Sequence, residues 1–214
     1  MFYKLHIHEA TLLVTDSHRG SFTSAFGKRQ LEKTLGALSY TQTSDLDFSS
    51  VTLRYIVRKF SEQNIGDIEV ELGAQFKKQN GMALNVHYPD LLYFATISGP
   101  QFNKSVSGAI GEGIAGYVVQ KLYGFVPKSR PIGYSPDIIM GKDQPYSIAL
   151  VEAKGTSKSD VKGIRTTIRD AAVELLQMLS AAPYLKAAKY AGYVVGTEIT
   201  ENEEFNCYVL RLEQ

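Results

Sequence analysis

Apolar and polar residues alternate along this chain with two different periods. From residue 160 to 181 the apolar positions Ile164, Ile168, Ala172, Leu175, Leu176 and Leu179 recur at the spacing of a helix that buries one face, and Asp160 can cap its start. A second helix is predicted at about 105–123. Between the two, "PDIIM" and residues 146–154 read as strands, and "YAGYVVGTEI" and "FNCYVLRL" follow as two more. The second half therefore runs helix, strands, helix, strands. In the first hundred residues the pattern predicts a strand at 2–8, helices near 28–38 and 51–62, and strands at 67–72, 83–87 and 92–98. No internal repeat or low-complexity tract interrupts the chain.

The strand at 146–154 ends on "LVEAKG". Successive side chains of a strand alternate faces, so Glu152 and Lys154 point one way while Val151 and Ala153 point the other. Something on that face wants charge. Turn-forming "GKDQP" separates this run from "YSPDIIM", so the two runs are expected to pair as an antiparallel hairpin. That pairing brings Asp137 near Glu152 despite fourteen intervening residues. Like charges so close are unfavourable unless a shared proton, a metal ion or basic neighbours neutralise them. Magnesium suits such a site, because it takes hard oxygen ligands and binds through one or two carboxylates plus water and phosphate. Lys154, on the same face, could position a water or help deprotonate it.

Charge sharpens the picture. The net charge is only +1, yet residues 121–169 carry nine basic and four acidic side chains, so that segment is at +5 and the remainder at −4. Positive charge is concentrated around the Glu152 strand, as a phosphate-binding surface requires. Arg165 and Arg169 share a helical face, with Lys158 and Lys162 just before them; the four could meet phosphates or form a solvated face. A chain of 214 residues suits one sizeable core. No run approaches the roughly 20 apolar residues of a membrane-spanning helix. The start, "MFYKLHIHEATLLV", has charges where a secretory signal is apolar, so a soluble, cytoplasmic protein without a membrane partner is expected. The single cysteine, Cys207, lies in an apolar run and reads as a buried small hydrophobe.

Pro136 and Asp137, fourteen residues, then Glu152, Ala153 and Lys154 resemble the signature of the PD-(D/E)XK nuclease superfamily. The acid opens one strand, the ExK closes the next, and an amphipathic helix follows. The resemblance implies an α/β fold: a restriction-endonuclease-like core at residues 101–214, with a mixed central sheet flanked by helices, and an N-terminal α+β extension at residues 1–100 for substrate recognition or dimerisation. It further implies that Asp137 and Glu152, with the Ala153 carbonyl and Glu112, hold one or two magnesium ions, for which manganese can substitute. Lys154 would orient the nucleophile and offset charge in the transition state. Many members carry an additional acid on the preceding helix. Glu112 is the only acid there, and Gly108, Ala109, Ala115 and Gly116 lie three and four residues from it, small enough to let the sheet approach. Gln177 resembles the glutamine of exonuclease-type members, although the tyrosine expected four residues on is Ala181.

The implied activity is a metal-dependent deoxyribonuclease leaving 5′-phosphate ends, an endonuclease of restriction, phage-defence or repair type, with DNA favoured over RNA. Lys158, Lys162, Arg165 and Arg169 are the nucleic-acid contacts. Cutting both strands suits a homodimer, and a partner subunit is the other arrangement. The alternative is a non-catalytic nucleic-acid-binding or assembly subunit that kept the fold. Two further signals are set aside. "GEGIAG", residues 111–116, matches a dinucleotide fingerprint in letters only, because no strand leads into it. His6 and His8 share a strand face with no further ligands at hand for zinc, and read as structural.

Overall fold

The computed structural model describes residues 2–15, 18, 24–61, 63–64, 82–85, 88–94, 104–131, 135–143, 146–156, 161–181, 189–200 and 204–213. The elements run β1 (Phe2–Leu13), α1 (Ala25–Gly36), β2 (Thr41–Ser49), α2 (Ser50–Phe60), β3 (Gln63–Asn64), β4 (Met82–Asn85), β5 (Tyr88–Phe94), α3 (Lys104–Tyr123), β6 (Val126–Ser129), β7 (Ile138–Asp143), β8 (Tyr146–Thr156), α4 (Val161–Ala181), β9 (Lys189–Ile199) and β10 (Glu204–Glu213). This is an α/β fold around a mixed seven-stranded sheet of order β2-β1-β10-β9-β8-β7-β6, with β3, β4 and β5 forming a small sheet of their own. β1 pairs with β10 and β8 with β9 in parallel; the other neighbours in the large sheet are antiparallel. Strands from both halves of the chain therefore share one sheet. Among the described residues no helix is long and apolar enough to cross a membrane.

Helices cover both faces, so the middle strands are apolar on both sides. β10 alternates sides along its length: Phe205, Cys207 and Val209 enter the core under α2 and α3, while Tyr208, Leu210 and Leu212 enter the core under α1 and α4. Cys207 is buried as expected, and burial pushes its thiol up, away from the reactive thiolate. β1 divides its burial along its length instead. Tyr3, Leu5 and Ile7 serve the α2/α3 core, then Ala10 and Leu12 serve the other, so the strand runs well beyond the predicted 2–8. The six apolar positions that predict α4 all lie in the α1/α4 core.

α3 is apolar nearly all round because it lies between the sheet and α2. Its glycines record that double contact. A Cβ on Gly113 would meet Val57 of α2 and one on Gly116 would meet Phe60, whereas a Cβ on Gly111 would come within 2.8 Å of the Gly155 backbone of β8. Gly155 in turn packs directly on the Ser107 carbonyl. The close approach of helix to sheet is thus made by Gly155 against the Ser107–Gly108 peptide and Gly111, although a Cβ on Gly108 itself meets nothing within 4 Å. "GEGIAG" sits in the middle of this buried helix, far from a helix N-terminus that could receive a pyrophosphate.

Two strands of the large sheet have no counterpart in the apolar pattern. β2, "TQTSDLDFS", buries only Phe48, and β6, "VPKS", is exposed throughout. They are the two sheet edges, where polar residues and proline protect against further pairing and erase the strand signal. The strand predicted at 67–72 and the Asp160 cap lie outside the described residues. Ser24 and Ser49 do cap their helices, accepting from the Gly27 and Thr52 amides at 3.0 and 3.1 Å.

The glycine contacts give opposite expectations within one helix. Gly108→Ala should raise stability by about 0.5–1 kcal/mol through helix propensity. Gly111→Ala should lower it by about 1–3 kcal/mol, because backbone atoms of β8 cannot step aside. Urea unfolding of the two variants checks this; the same sign for both would show that the β8 contact does not select glycine at 111.

Candidate functional site

β7 and β8 form the expected antiparallel hairpin, with Ile138 opposite Val151. The next position brings Asp137 beside Glu152. Val151 and Ala153 enter the core under α3, which leaves Glu152 and Lys154 on the opposite face, beneath α4. Opposite Lys154 stands Gly196, on which Ile164 and Ile168 of α4 rest. The lysine cannot lie flat across that packed surface, and its Nζ donates to Glu152 Oε1 at 2.5 Å.

Glu152 is only 4% exposed. A carboxylate taken out of water must be paired and hydrogen-bonded, and both of its oxygens are: Lys154 serves Oε1, and the Ser135 hydroxyl donates to Oε2 at 2.7 Å. Asp137 Oδ2 accepts the Ala153 amide at 2.7 Å. β7 starts only at Ile138, so the Asp137 side chain caps the edge of β8 where the ladder to β7 has ended. The amide and carbonyl of one strand residue face the same neighbour, so the Ala153 carbonyl is turned toward this edge as well.

The charges act on one another. Burial, then the negative charge of Glu152, push the Asp137 carboxyl up to about 6; the Ala153 amide and Lys154 oppose the rise and Glu112 adds to it. Burial on its own would push the Lys154 ammonium down. The hydrogen bond and charge of Glu152, with Asp137 and then Glu174 of α4, outweigh it and hold Lys154 above its ordinary range. Lys154 is accordingly a fixed cation at neutral pH, suited to holding an anion or orienting water and not to removing a proton.

The sequence-derived candidates divide into three groups. Asp137, Glu152, Ala153 and Lys154 meet as one cluster. Glu112 lies near enough to act on Asp137 by charge, but its carboxylate is held by Arg130 at 2.7 Å. Among the described residues no three histidine, cysteine, aspartate or glutamate side chains are gathered closely enough to hold a metal ion. Lys162, Arg165 and Arg169 sit on the other flank of α4, toward α1 and β10, with Arg165 over the Tyr40 and Tyr208 rings at 5.3 and 5.8 Å. Lys158 lies outside the described residues. Gln177 is exposed, one turn beyond Glu174. His6 is engaged by Asp45 at 2.9 Å and Glu204 at 3.4 Å, and His8 stacks on Tyr208 at 5.0 Å, contacts within the fold that fit a structural role.

Three contributors were not foreseen. Ser135 satisfies Glu152, Arg130 holds Glu112, and Glu174 biases Lys154 from across the sheet face. Only Ser135 had a sequence signal, as a polar residue directly before "PD" in a segment bound for the interior. No family model, no curated protein and no solved structure matches this chain.

Asp137 makes stability depend on pH. Its carboxyl binds a proton more tightly in the folded chain, at about 6, than its ordinary value of 3.8 allows. Its favourable contribution is therefore complete below pH ~4 and is lost as the pH rises through ~6. Removing the charge should recover up to ~3 kcal/mol at pH 7. In chelator, Asp137→Asn, which keeps an acceptor for the Ala153 amide, should unfold at higher urea than wild type at pH 7 and at the same urea at pH 4. Parallel profiles for the two proteins would show that this carboxyl carries no such penalty.

Proposed function

We propose that this chain is a metal-dependent nuclease of restriction-endonuclease-like architecture that hydrolyses phosphodiester bonds of DNA. One observation carries the reading: hairpin register sets Asp137 against Ala153 and beside a buried Glu152 whose other partner is Lys154. A purely structural hairpin has no use for two carboxylates and a lysine at one strand end. The donor set fits magnesium or manganese, since two carboxylates and a main-chain carbonyl are hard oxygen ligands; burial and then the charge of Glu152 raise Asp137, and added positive charge would offset the second of these.

Asp137, Glu152 and the Ala153 carbonyl would hold the ion. Bound there, magnesium supplies a Lewis acid for the phosphate and an acidified water. The chain's own groups do the rest. Ser135 fixes the Glu152 carboxylate through Oε2. Lys154, kept charged by Glu152, Asp137 and Glu174, turns from Glu152 to the phosphate oxygens and opposes the charge that grows on them. Glu112, engaged by Arg130, adds negative potential at Asp137 without being a ligand in this arrangement. Lys162, Arg165 and Arg169 add a separate basic surface for a polyanion on the β10 flank of α4. A homodimer would present two such sites to the two strands.

A second reading is favoured by a separate observation. Glu152 is already neutralised by Lys154 and Glu112 by Arg130, as in a nucleic-acid-binding or assembly subunit that never turns over. Metal decides between the two. Plasmid, linear duplex, single-stranded DNA, a branched junction and RNA should be incubated with magnesium, manganese or chelator. Metal-dependent cleavage that Glu152→Ala abolishes is expected, with Lys154→Ala lowering turnover about 10²–10³-fold. Magnesium at ten times its Kd should also stabilise the wild type by about 1.4 kcal/mol and leave Asp137→Asn unmoved. No cleavage and no stabilisation would favour the binding subunit.

A further inference from the structure

A cleft of about 450 Å³ opens between the C-terminal end of α1 and the N-terminal half of α4, floored by Leu210 of β10. Its position separates it from Glu152 and Lys154. α4 lies over β9, with β8 on one side and β10 on the other, and the cleft is on the β10 side. Whatever binds there, the inference stands without the phosphodiesterase reading.

The lining has two halves. One is cationic: Lys162, Arg165 and Arg169, on successive turns of α4, all reach it, and no carboxylate is among the described residues that line it. Asp170 pairs with Arg169 from outside, at 2.9 and 3.0 Å, an exposed contact that an incoming anion can replace. Arg165 lies over both the Tyr40 and Tyr208 rings, 5.3 and 5.8 Å from their centroids, while the two rings meet each other edge to face, a contact that biases where its planar donor fork sits. The cleft also lies at the positive end of the α4 dipole. The other half is apolar and aromatic: Tyr40, Leu38, Leu35 and Leu210. Burial pushes the Tyr40 phenol up to about 12, against the pull of Arg165, so it adds a neutral ring and a donor, never a competing charge.

An anion without an organic body would leave the apolar half wet, and an apolar ligand without charge would make no use of the cationic half. The volume is that of a small-ligand site. We propose that the α1/α4 cleft binds a nucleoside phosphate, its phosphate on Lys162, Arg165 and Arg169 and its base against Tyr40, Leu38 and Leu210. The same chemistry is offered by a free mononucleotide and by the terminal nucleotide of a strand.

Calorimetric titration of the full chain, in chelator so that nothing is cut, tests this with adenosine monophosphate, adenosine, inorganic phosphate and a 5′-phosphorylated single-stranded oligonucleotide. Adenosine monophosphate should bind at least ~10-fold more tightly than adenosine or phosphate alone. Arg165→Gln and Arg169→Gln, both at the solvent face of α4, should each weaken it about 10-fold, the scale of one charge-assisted hydrogen bond. Lys154→Ala should bind it as wild type does. An oligonucleotide that binds more tightly than the mononucleotide supports the cleft as a strand-end receptor, and equal affinity supports it as a free-nucleotide site. Phosphate binding as tightly as the mononucleotide, affinity indifferent to both arginines, or no heat with any probe would each overturn the proposal.

Discussion

A buried carboxylate at the end of an interior strand is the constraint around which this molecule is arranged. Glu152 cannot remain charged there without partners, since an ion taken out of water costs several kcal/mol unless paired and hydrogen-bonded. Lys154 and Ser135 supply them, one from the same strand and one from the segment entering β7. Satisfying Glu152 thus ties the β7–β8 hairpin together at the end opposite its turn. It also sets Asp137 in a dry place beside a negative charge, and burial and then Glu152 push its carboxyl up to about 6.

The packing around β8 serves the same end. The strand must place Val151 and Ala153 into one core while its other face carries charge, so its two faces meet two different helices in two different ways. On the apolar face α3 comes to backbone contact through Gly111 and Gly155, directly behind the end of the strand that carries Glu152 and Lys154. On the other face α4 packs mainly on β9 and also reaches β8, its Ile164 and Ile168 resting on Gly196 beside Lys154. A strand end packed on both faces holds Glu152 and Lys154 within tight tolerances.

How much of this the amino-acid order disclosed depended on whether apolar periodicity marked it. α4, β9 and β10 carry strong apolar patterns because they bury one stripe or both faces, and they stand where the pattern puts them. The sheet edges β2 and β6 could not be found that way, since an edge strand is defined by polar positions and, in β6, by Pro127. In the site, the alternation rule was enough for Glu152 and Lys154 and turn chemistry was enough for Asp137. Arg130 and Glu174 were invisible, because each reaches the cluster from a separate element and only three-dimensional packing brings it there. The small residues around Glu112 did signal a close approach, which the Ser107–Gly108 peptide and Gly111 make to Gly155, while Glu112 turns to Arg130.

The proposed function requires the Asp137–Glu152 pair to hold a divalent cation beside Lys154. Anomalous diffraction from crystals soaked in manganese addresses it without relying on any substrate. A manganese peak about 2.0–2.2 Å from oxygens of Asp137 and Glu152, with the Ala153 carbonyl as a third ligand and Lys154 released from Glu152, is the expected result. Crystals in which millimolar manganese leaves no peak there and Lys154 still bonded to Glu152 would contradict it, and would make the lysine the permanent partner of that buried charge.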